Sequence, residues 1–275
     1  MVSIPESNRS IGGCGPTNSY FFIGAFSFCI SGLSLHWMTT LVIATRNLHK
    51  VGEIRGILGP LFEFRTLCEF PNAPKVIEDA NSFAGNATKK AVELARWLGG
   101  VQSPKLPTSS STLVLADDSG LEVDALAGAP GVHSARFAAL DAGALGNASD
   151  TENNAKLLRL LREVPMERRL ARFRCVIALT PVVPTRSVNA SPVCAADEGE
   201  LQSELFDGTC EGRIAFAPSG DKGFGYDPLF VPNGFEQSFA ELGEDVKNRI
   251  SHRAKALEKL RAGLERLSSC GMASG

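Results

Sequence analysis

The chain has almost no excess charge, no closely spaced cysteine pair, no internal repeat, and no uninterrupted apolar run long enough to span a membrane. Each absence excludes a class of protein. With 28 basic against 30 acidic side chains in 275 residues, the formal charge is −2, whereas a dedicated nucleic-acid binder carries a strongly basic domain. A small anionic ligand stays open, because a phosphate site needs only a few local cations. The seven cysteines (Cys14, Cys29, Cys68, Cys175, Cys194, Cys210 and Cys270) are odd in number, scattered, and lack any C-x-x-C pair. That spacing fits neither a disulfide framework nor a zinc site, so reduced thiols in the cytoplasm are expected. What is present is ordinary for a globular chain, 44% hydrophobic and 21% charged residues, and excludes disorder, collagen and coiled coil.

Charge is nearly missing from residues 1–40, where only Glu6 and Arg9 carry it, with His36 near the end. The apolar run from Tyr20 to Leu35 has the length of a secretory h-region, but a single Arg precedes it and no clean cleavage motif follows. It falls short of the roughly 20 apolar residues of a spanning helix and is broken by Ser and Gly. Residues 1–40 are therefore read as an extension outside the fold: a disordered tail, a signal-like segment, or sequence upstream of a true start at Met38. No membrane partner is expected.

From Leu41 strands alternate with helices, which predicts an α/β fold. Residues 41–44 read as a buried strand, and a polar turn at Thr45, Arg46 and Asn47 opens a helix with Val51, Ile54, Ile57 and Leu58 on one face. Gly59-Pro60 stops it. Residues 62–67 alternate as a second strand, and residues 82–98 form a second helix facing the core with Phe83, Ala87, Ala91, Leu94 and Ala95. A Pro/Ser-rich connector at 103–112 leads to a strand at 113–116 that ends directly in Asp117-Asp118-Ser119-Gly120. A helix at 153–164, a strand at 172–179, a polar excursion at 180–200, a strand at 212–216 and a final helix capped by Ser251 complete the chain. No linker separates two cores, so residues 41–270 form one domain.

Four segments could carry chemistry. Thr45-Arg46-Asn47-Leu48-His49-Lys50 places a cation at a helix N-terminus, whose unpaired N–H groups suit a phosphate. It lacks the glycines of a P-loop and equally fits an ordinary capped helix. Asp117 and Asp118, at the C-terminal end of an apolar strand, lie where α/β sheets bind ligands. They could hold Mg²⁺, or one could act as a general base; the same residues also make good turns. Gly223-Phe224-Gly225-Tyr226-Asp227 lets backbone approach a ligand and offers Phe224 as a stacking face, or is simply a glycine-rich turn around an aromatic. Lys247, His252 and Arg253 gather cations near another helix start, where they oppose the helix dipole and so call for a reason. Lys90, taken alone, reads as a surface lysine.

In order and spacing these segments resemble the inosine/xanthosine triphosphate pyrophosphatase family. The matching stretches begin at Leu41–Lys50, Phe83–Ala91 and Ala116–Leu126, and continue at Gly128–Phe137, Gly223–Phe230 and Ile250–Arg253. They cover about residues 41–267. The resemblance implies a long central mixed sheet with flanking helices, two lobes around a substrate cleft, and a homodimer. It implies Mg²⁺-dependent hydrolysis of ITP, dITP or XTP to the monophosphate and pyrophosphate. By the same resemblance Thr45, Arg46, Asn47, Leu48, His49 and Lys50 cradle the triphosphate, and Lys90 and Ser119 face substrate. Asp118 is the base and, with Asp117, the metal carboxylate. Phe224 stacks on the purine beside Gly225, Tyr226 and Asp227, while Lys247, His252 and Arg253 face the nucleotide. A donor such as Arg253 or His252 aimed at the 6-oxo group of hypoxanthine would be left unpaired by the 6-amino group of adenine. One departure stands out: many members carry a metal-binding Glu before the helix asparagine, and here that place is Gly85. Two alternatives follow, a Maf-type nucleotide pyrophosphatase and a nucleotide-binding module without catalysis.

Overall fold

A computed structural model describes residues 39–101, 106, 112–143, 146–183 and 201–270. The expectations for residues 1–38 lie outside the described residues, as do those for most of the connector at 103–112 and of the excursion at 180–200. Among the described residues no helix is long and apolar enough to cross a membrane.

The first strand, β1 (Thr40–Ile43), is wholly buried. Its three aliphatic side chains suit a central strand covered on both faces. The helix α1 (Leu48–Leu58) follows, with Asn47 as N-cap accepting from the His49 and Lys50 N–H groups. After α1 come β2 (Glu63–Thr66) and α2 (Phe83–Gly100), the latter capped by Ser82. The long antiparallel strands β3 (Thr112–Val123), β4 (Leu170–Pro181) and β5 (Glu204–Ile214) and the short β6 (Phe230–Pro232) complete a six-stranded sheet in the order β2-β1-β3-β4-β5-β6. Only β2-β1 and β1-β3 are parallel. The sheet is mixed, as expected.

Two lobes share this sheet. In the first, α2 covers one face, packing on Val42, Val114, Ala116 and Ala178. There α1 and α6 (His252–Cys270) cover the other, on Leu41, Ile43, Leu115 and Ile177. In the second lobe the distal halves of β3, β4 and β5 pack on α3 (Asp150–Leu160) and α4 (Phe239–Leu242) through Leu121, Phe173, Leu157 and Phe239. A helix of about two turns, α5 (Glu244–Ile250), joins the lobes ahead of α6. Gly208 in β5 is required by this packing, because any Cβ there would meet the His252 carbonyl and the Ala256 nitrogen at the start of α6.

Three expectations are corrected. The strand expected to end at Ala116 runs on to Val123, so Asp117 and Asp118 lie inside β3 rather than at its end. Their turn chemistry is overridden by an unbroken ladder to β4, Asp117 opposite Ile177 and Asp118 opposite Val176. The ligand-binding position survives for another reason: β1 stops opposite Leu115, so the acids lie just past the end of the parallel strand. β5 begins at Glu204 rather than Gly212, with Phe206, Gly208 and Cys210 inward between polar outward residues. The helix expected over 153–164 begins at Asp150, because Ser149 and Glu152 form a capping box.

Candidate active site

Successive residues of a strand point to opposite faces, and this separates the acidic pair. Asp117 shares the face of Leu113 and Leu115, toward α1 and α6; Asp118 shares that of Val114 and Ala116, toward α2. The expectation that both carboxylates close on one metal ion is therefore revised.

On the α1/α6 side, Arg253 donates to Asp117 Oδ2 from Nη2 at 2.9 Å and from Nε at 3.2 Å. Lys50 Nζ lies 2.7 Å from Asp117 Oδ1. Arg253 also donates to Ser119 Oγ at 2.8 Å and to Glu53 Oε2. Lys247 Nζ in turn reaches Glu53 Oε1 at 2.8 Å and Asp227 Oδ2 at 2.6 Å. Three cations and three carboxylates thus alternate: Lys50, Asp117, Arg253, Glu53, Lys247, Asp227. Burial alone would raise Asp117, yet Arg253 and Lys50 hold it well below the usual carboxylate range. Burial likewise opposes ionisation of Glu53, and Arg253 and Lys247 again prevail and lower it. Asp227 comes out differently: burial outweighs Lys247 and leaves it raised.

On the α2 side, Lys90 Nζ lies 3.0 Å from Asp118 Oδ1 and donates to the Asp117 carbonyl at 2.7 Å. Asn86 Nδ2 donates to Asp118 Oδ2 at 3.1 Å, and Glu78 Oε2 lies 3.5 Å from Lys90. Lys90, read alone as a surface lysine, is buried. Here burial wins at the carboxylate: Asp118 is raised, lowered only in part by Lys90 and pushed further up by Glu78. Two adjacent carboxylates are driven in opposite directions, the arrangement that separates a structural anion from a proton acceptor.

The remaining expected residues divide into those at the opening and those below it. Arg46, Leu48 and His49 are exposed at the start of α1, and Thr45 Oγ1 accepts from the Asn47 N–H. The His49 ring stacks on Phe224 at 5.3 Å between centroids and 20° between planes. Lys247 Nζ lies 4.3 Å from the same ring's centroid. Gly223 has φ 79°, and a Cβ there would meet the Asp227 carboxylate. That carboxylate accepts from the Phe224 N–H at 2.8 Å and so fixes the turn. Gly225 is pinned from the second lobe, donating to Asp150 at 2.7 Å and accepting from Asn154 at 3.0 Å.

Tyr226 and His252 are placed away from the opening. Tyr226 is buried and donates to the Ser134 carbonyl at 2.9 Å. The His252 ring lies flat on Phe173, 4.8 Å away at 13°, and burial pushes its pKa well below the usual histidine value. Arg253 is 1% exposed and committed to Asp117, Glu53 and Ser119. Arg253 is therefore fully engaged in this arrangement, His252 Nδ1 is buried without a hydrogen-bond partner, and Lys247 is the cation that lines the cavity beside Phe224.

Among the described residues no three His, Cys, Asp or Glu side chains gather closely enough to hold a metal by themselves. The oxygen donors present, Asp118 and Glu78, nevertheless suit Mg²⁺, which takes one or two carboxylates and completes its shell with water and phosphate. Gly85 contributes nothing: a Cβ there would lie 2.8 Å from Ala80 Cβ. Three site residues escaped the sequence reading. Glu53 follows Lys50 at i+3 and looks like half of a solvated helix pair. Asn86 lies in the stretch that carries the resemblance but had no role of its own there, and Glu78 is near the usual metal glutamate's place at Gly85 in sequence but out of register with it.

A buried ionised carboxylate among cations, a second carboxylate of raised pKa, and a helix N-terminus beside both define an α/β site built for a phosphorylated small molecule. The sequence profile of the Ham1 family matches residues 41–263, and the chain belongs to that family. It is 46% identical over 228 residues to the dITP/XTP pyrophosphatase of Desulforamulus reducens, covering 82% of this chain and 96% of the relative. It is 45% identical over 225 residues to that of Geobacillus kaustophilus, covering 81% and 93%. Among solved structures it is similar to a HAM1 protein from Coxiella burnetii, with a TM-score of 0.65 and 34% identity over 83% of this chain and 100% of that one.

Proposed function

We propose that the chain hydrolyses ITP, dITP and XTP to the monophosphate and pyrophosphate with Mg²⁺, acting in the cytoplasm as a homodimer. The observation that carries this reading is the opposed pair, Asp117 ionised among Lys50 and Arg253 and Asp118 raised beside Lys90. In it, Asp118 accepts a proton from the water that attacks the α-phosphorus, and the bond from that phosphorus to the bridging oxygen breaks. Lys50 and Arg46, at the positive end of α1, offset the charge of the departing pyrophosphate. Asp118 and Glu78 would hold Mg²⁺, whose chemistry is to neutralise phosphate charge. Phe224 stacks on the base, and Lys247 donates toward its 6-oxo group. Adenine offers a 6-amino donor at that position and would leave the third N–H of the ammonium, beyond those on Glu53 and Asp227, without a partner. The dITP/XTP activity of the relatives accords with this reading.

The test is a pyrophosphate-release screen over ITP, dITP, XTP, GTP, ATP and dTTP, with and without Mg²⁺. Release from the first three, dependent on Mg²⁺, is expected; guanine shares the 6-oxo group, so exclusion of GTP must come from its 2-amino group. Equal release from ATP would overturn the 6-oxo selectivity, and tight ITP binding without turnover would leave only a nucleotide-binding module.

A further inference from the structure

We propose that His49 is a competitor for the purine, resting on the face of Phe224 that the base must take. The inference rests on the reading of Phe224 as the stacking platform.

Three observations place His49 in that role. Its ring lies nearly parallel to Phe224 at 5.3 Å. A base inserted between two rings needs about 7 Å between them, twice the contact distance of about 3.5 Å between carbon atoms. The two rings therefore leave no slot, and a purine that stacks on this side of Phe224 must take the place of His49. Lys247 Nζ crowds the same ring, standing 4.3 Å from its centroid and held there by Glu53 and Asp227. The cavity bounded by His49, Glu53, Phe224, Phe239 and Lys247 has a volume of about 10 Å³, room for a single water and not for a base.

His49 is also the partner able to leave. Its ring is exposed, sits in the first turn of α1, and is held by the stack with Phe224, while its backbone N–H is already satisfied by Asn47. Phe224 is fixed instead, through its N–H on Asp227 and the buried pairing of that carboxylate with Lys247. Swinging His49 out costs one aromatic pair, and the larger purine face replaces it. Substrate affinity thus carries a penalty set by a residue that touches the base site only when it is empty.

The experiment compares KM and kcat for dITP in the wild type, His49→Ala and His49→Phe, with inhibition by inorganic tripolyphosphate as a probe lacking a base. Removing the competitor is expected to lower KM for dITP about 2- to 10-fold, the worth of one aromatic pair, with the larger change in KM rather than kcat. The tripolyphosphate inhibition constant is expected to stay within about twofold, since one aromatic pair never meets this probe. His49→Phe keeps the stack and is expected to hold KM at or above the wild-type value. A KM that rises in His49→Ala together with the tripolyphosphate constant would make His49 part of the phosphate cradle and overturn the proposal. A KM that rises alone would make it a second wall around the base, and an unchanged KM would show that the stack has no weight; both overturn it too. Phe224→Leu separates this failure from that of the underlying reading. Weaker dITP affinity in Phe224→Leu with none of the expected gain in His49→Ala overturns only the competitor. Unchanged affinity in both overturns base stacking itself.

Discussion

Asp117 and Asp118 are neighbours in sequence with the same side chain, and they differ in almost everything else. One faces α1 and α6, is paired with Arg253 and Lys50, and is held ionised. The other faces α2, shares Lys90 with Glu78, and has its pKa raised by burial. The difference arises from strand alternation alone, which sends adjacent side chains to opposite faces of β3. Two consecutive acids on a helix would diverge by 100°; on a strand they are divided by the sheet itself. One residue step thus separates an anchor from a base without any sequence distance between them.

The largest effect expected from breaking this comparison is on turnover. Asp118→Asn should reduce pyrophosphate release from dITP by about 10²- to 10⁴-fold, the usual weight of a general base, while the melting temperature changes little. Asp117→Asn should do the reverse in kind. It leaves Arg253 buried beside a neutral amide, and breaking such a pair costs about 3–5 kcal/mol, read as a lower midpoint in urea. Equal loss of stability in both variants would erase the distinction between anchor and base.

Acidification sharpens the same contrast. Asp118 must lose its proton to act, and burial raises its pKa above that of an ordinary aspartate, so kcat/KM should fall on the acid side at a correspondingly higher pH. Asp117 has a folded pKa well below 3.8. Its contribution to stability is therefore complete above the unfolded value and is lost only as pH falls through the depressed folded one. Activity should disappear before the Asp117 anchor weakens, measured as kcat/KM and melting temperature over one pH series. Coincident loss of both would place the acid limb in unfolding rather than in the base.

How much of this could be read beforehand follows from the same physics. α1, α2 and α6 announce themselves by periodicity, because each buries one stripe against the sheet, and β1 by its short unbroken apolar run. The distal half of β3 does not: Asp-Asp-Ser-Gly is turn chemistry, and only the ladder to β4, some 60 residues away in sequence, holds it extended. The short β6, α4 and α5 are too brief for a period to register. In the site, Lys50, Asp118, Phe224 and Lys247 could be named because cations, acids and glycine-flanked aromatics at element ends are conspicuous. Glu53 could not. Its partners Arg253 and Lys247 lie about 200 residues away, and a glutamate three places after a lysine reads as an ordinary solvated helix pair.

The smallest effect concerns Gly85, on the Asp118 side of the comparison. A side chain there would bring its Cβ to 2.8 Å from Ala80 Cβ and 3.2 Å from Ser82 Oγ, the N-cap of α2. Gly85→Glu should therefore destabilise by about 1–3 kcal/mol through overpacking, partly offset by the loss of a helical glycine. Adding Ala80→Gly removes the obstructing methyl. The double variant should then recover most of that loss, a coupling of the size expected for two residues in contact. The new carboxylate would sit one turn before Lys89 on the helix that carries Asn86 and Lys90. If it joins Asp118 and Glu78, half-maximal activity in the double variant should need less Mg²⁺ than in the wild type. Recovery of stability with no change in the Mg²⁺ requirement would confine Gly85 to packing and leave Asp118 and Glu78 as the whole carboxylate complement of the α2 face.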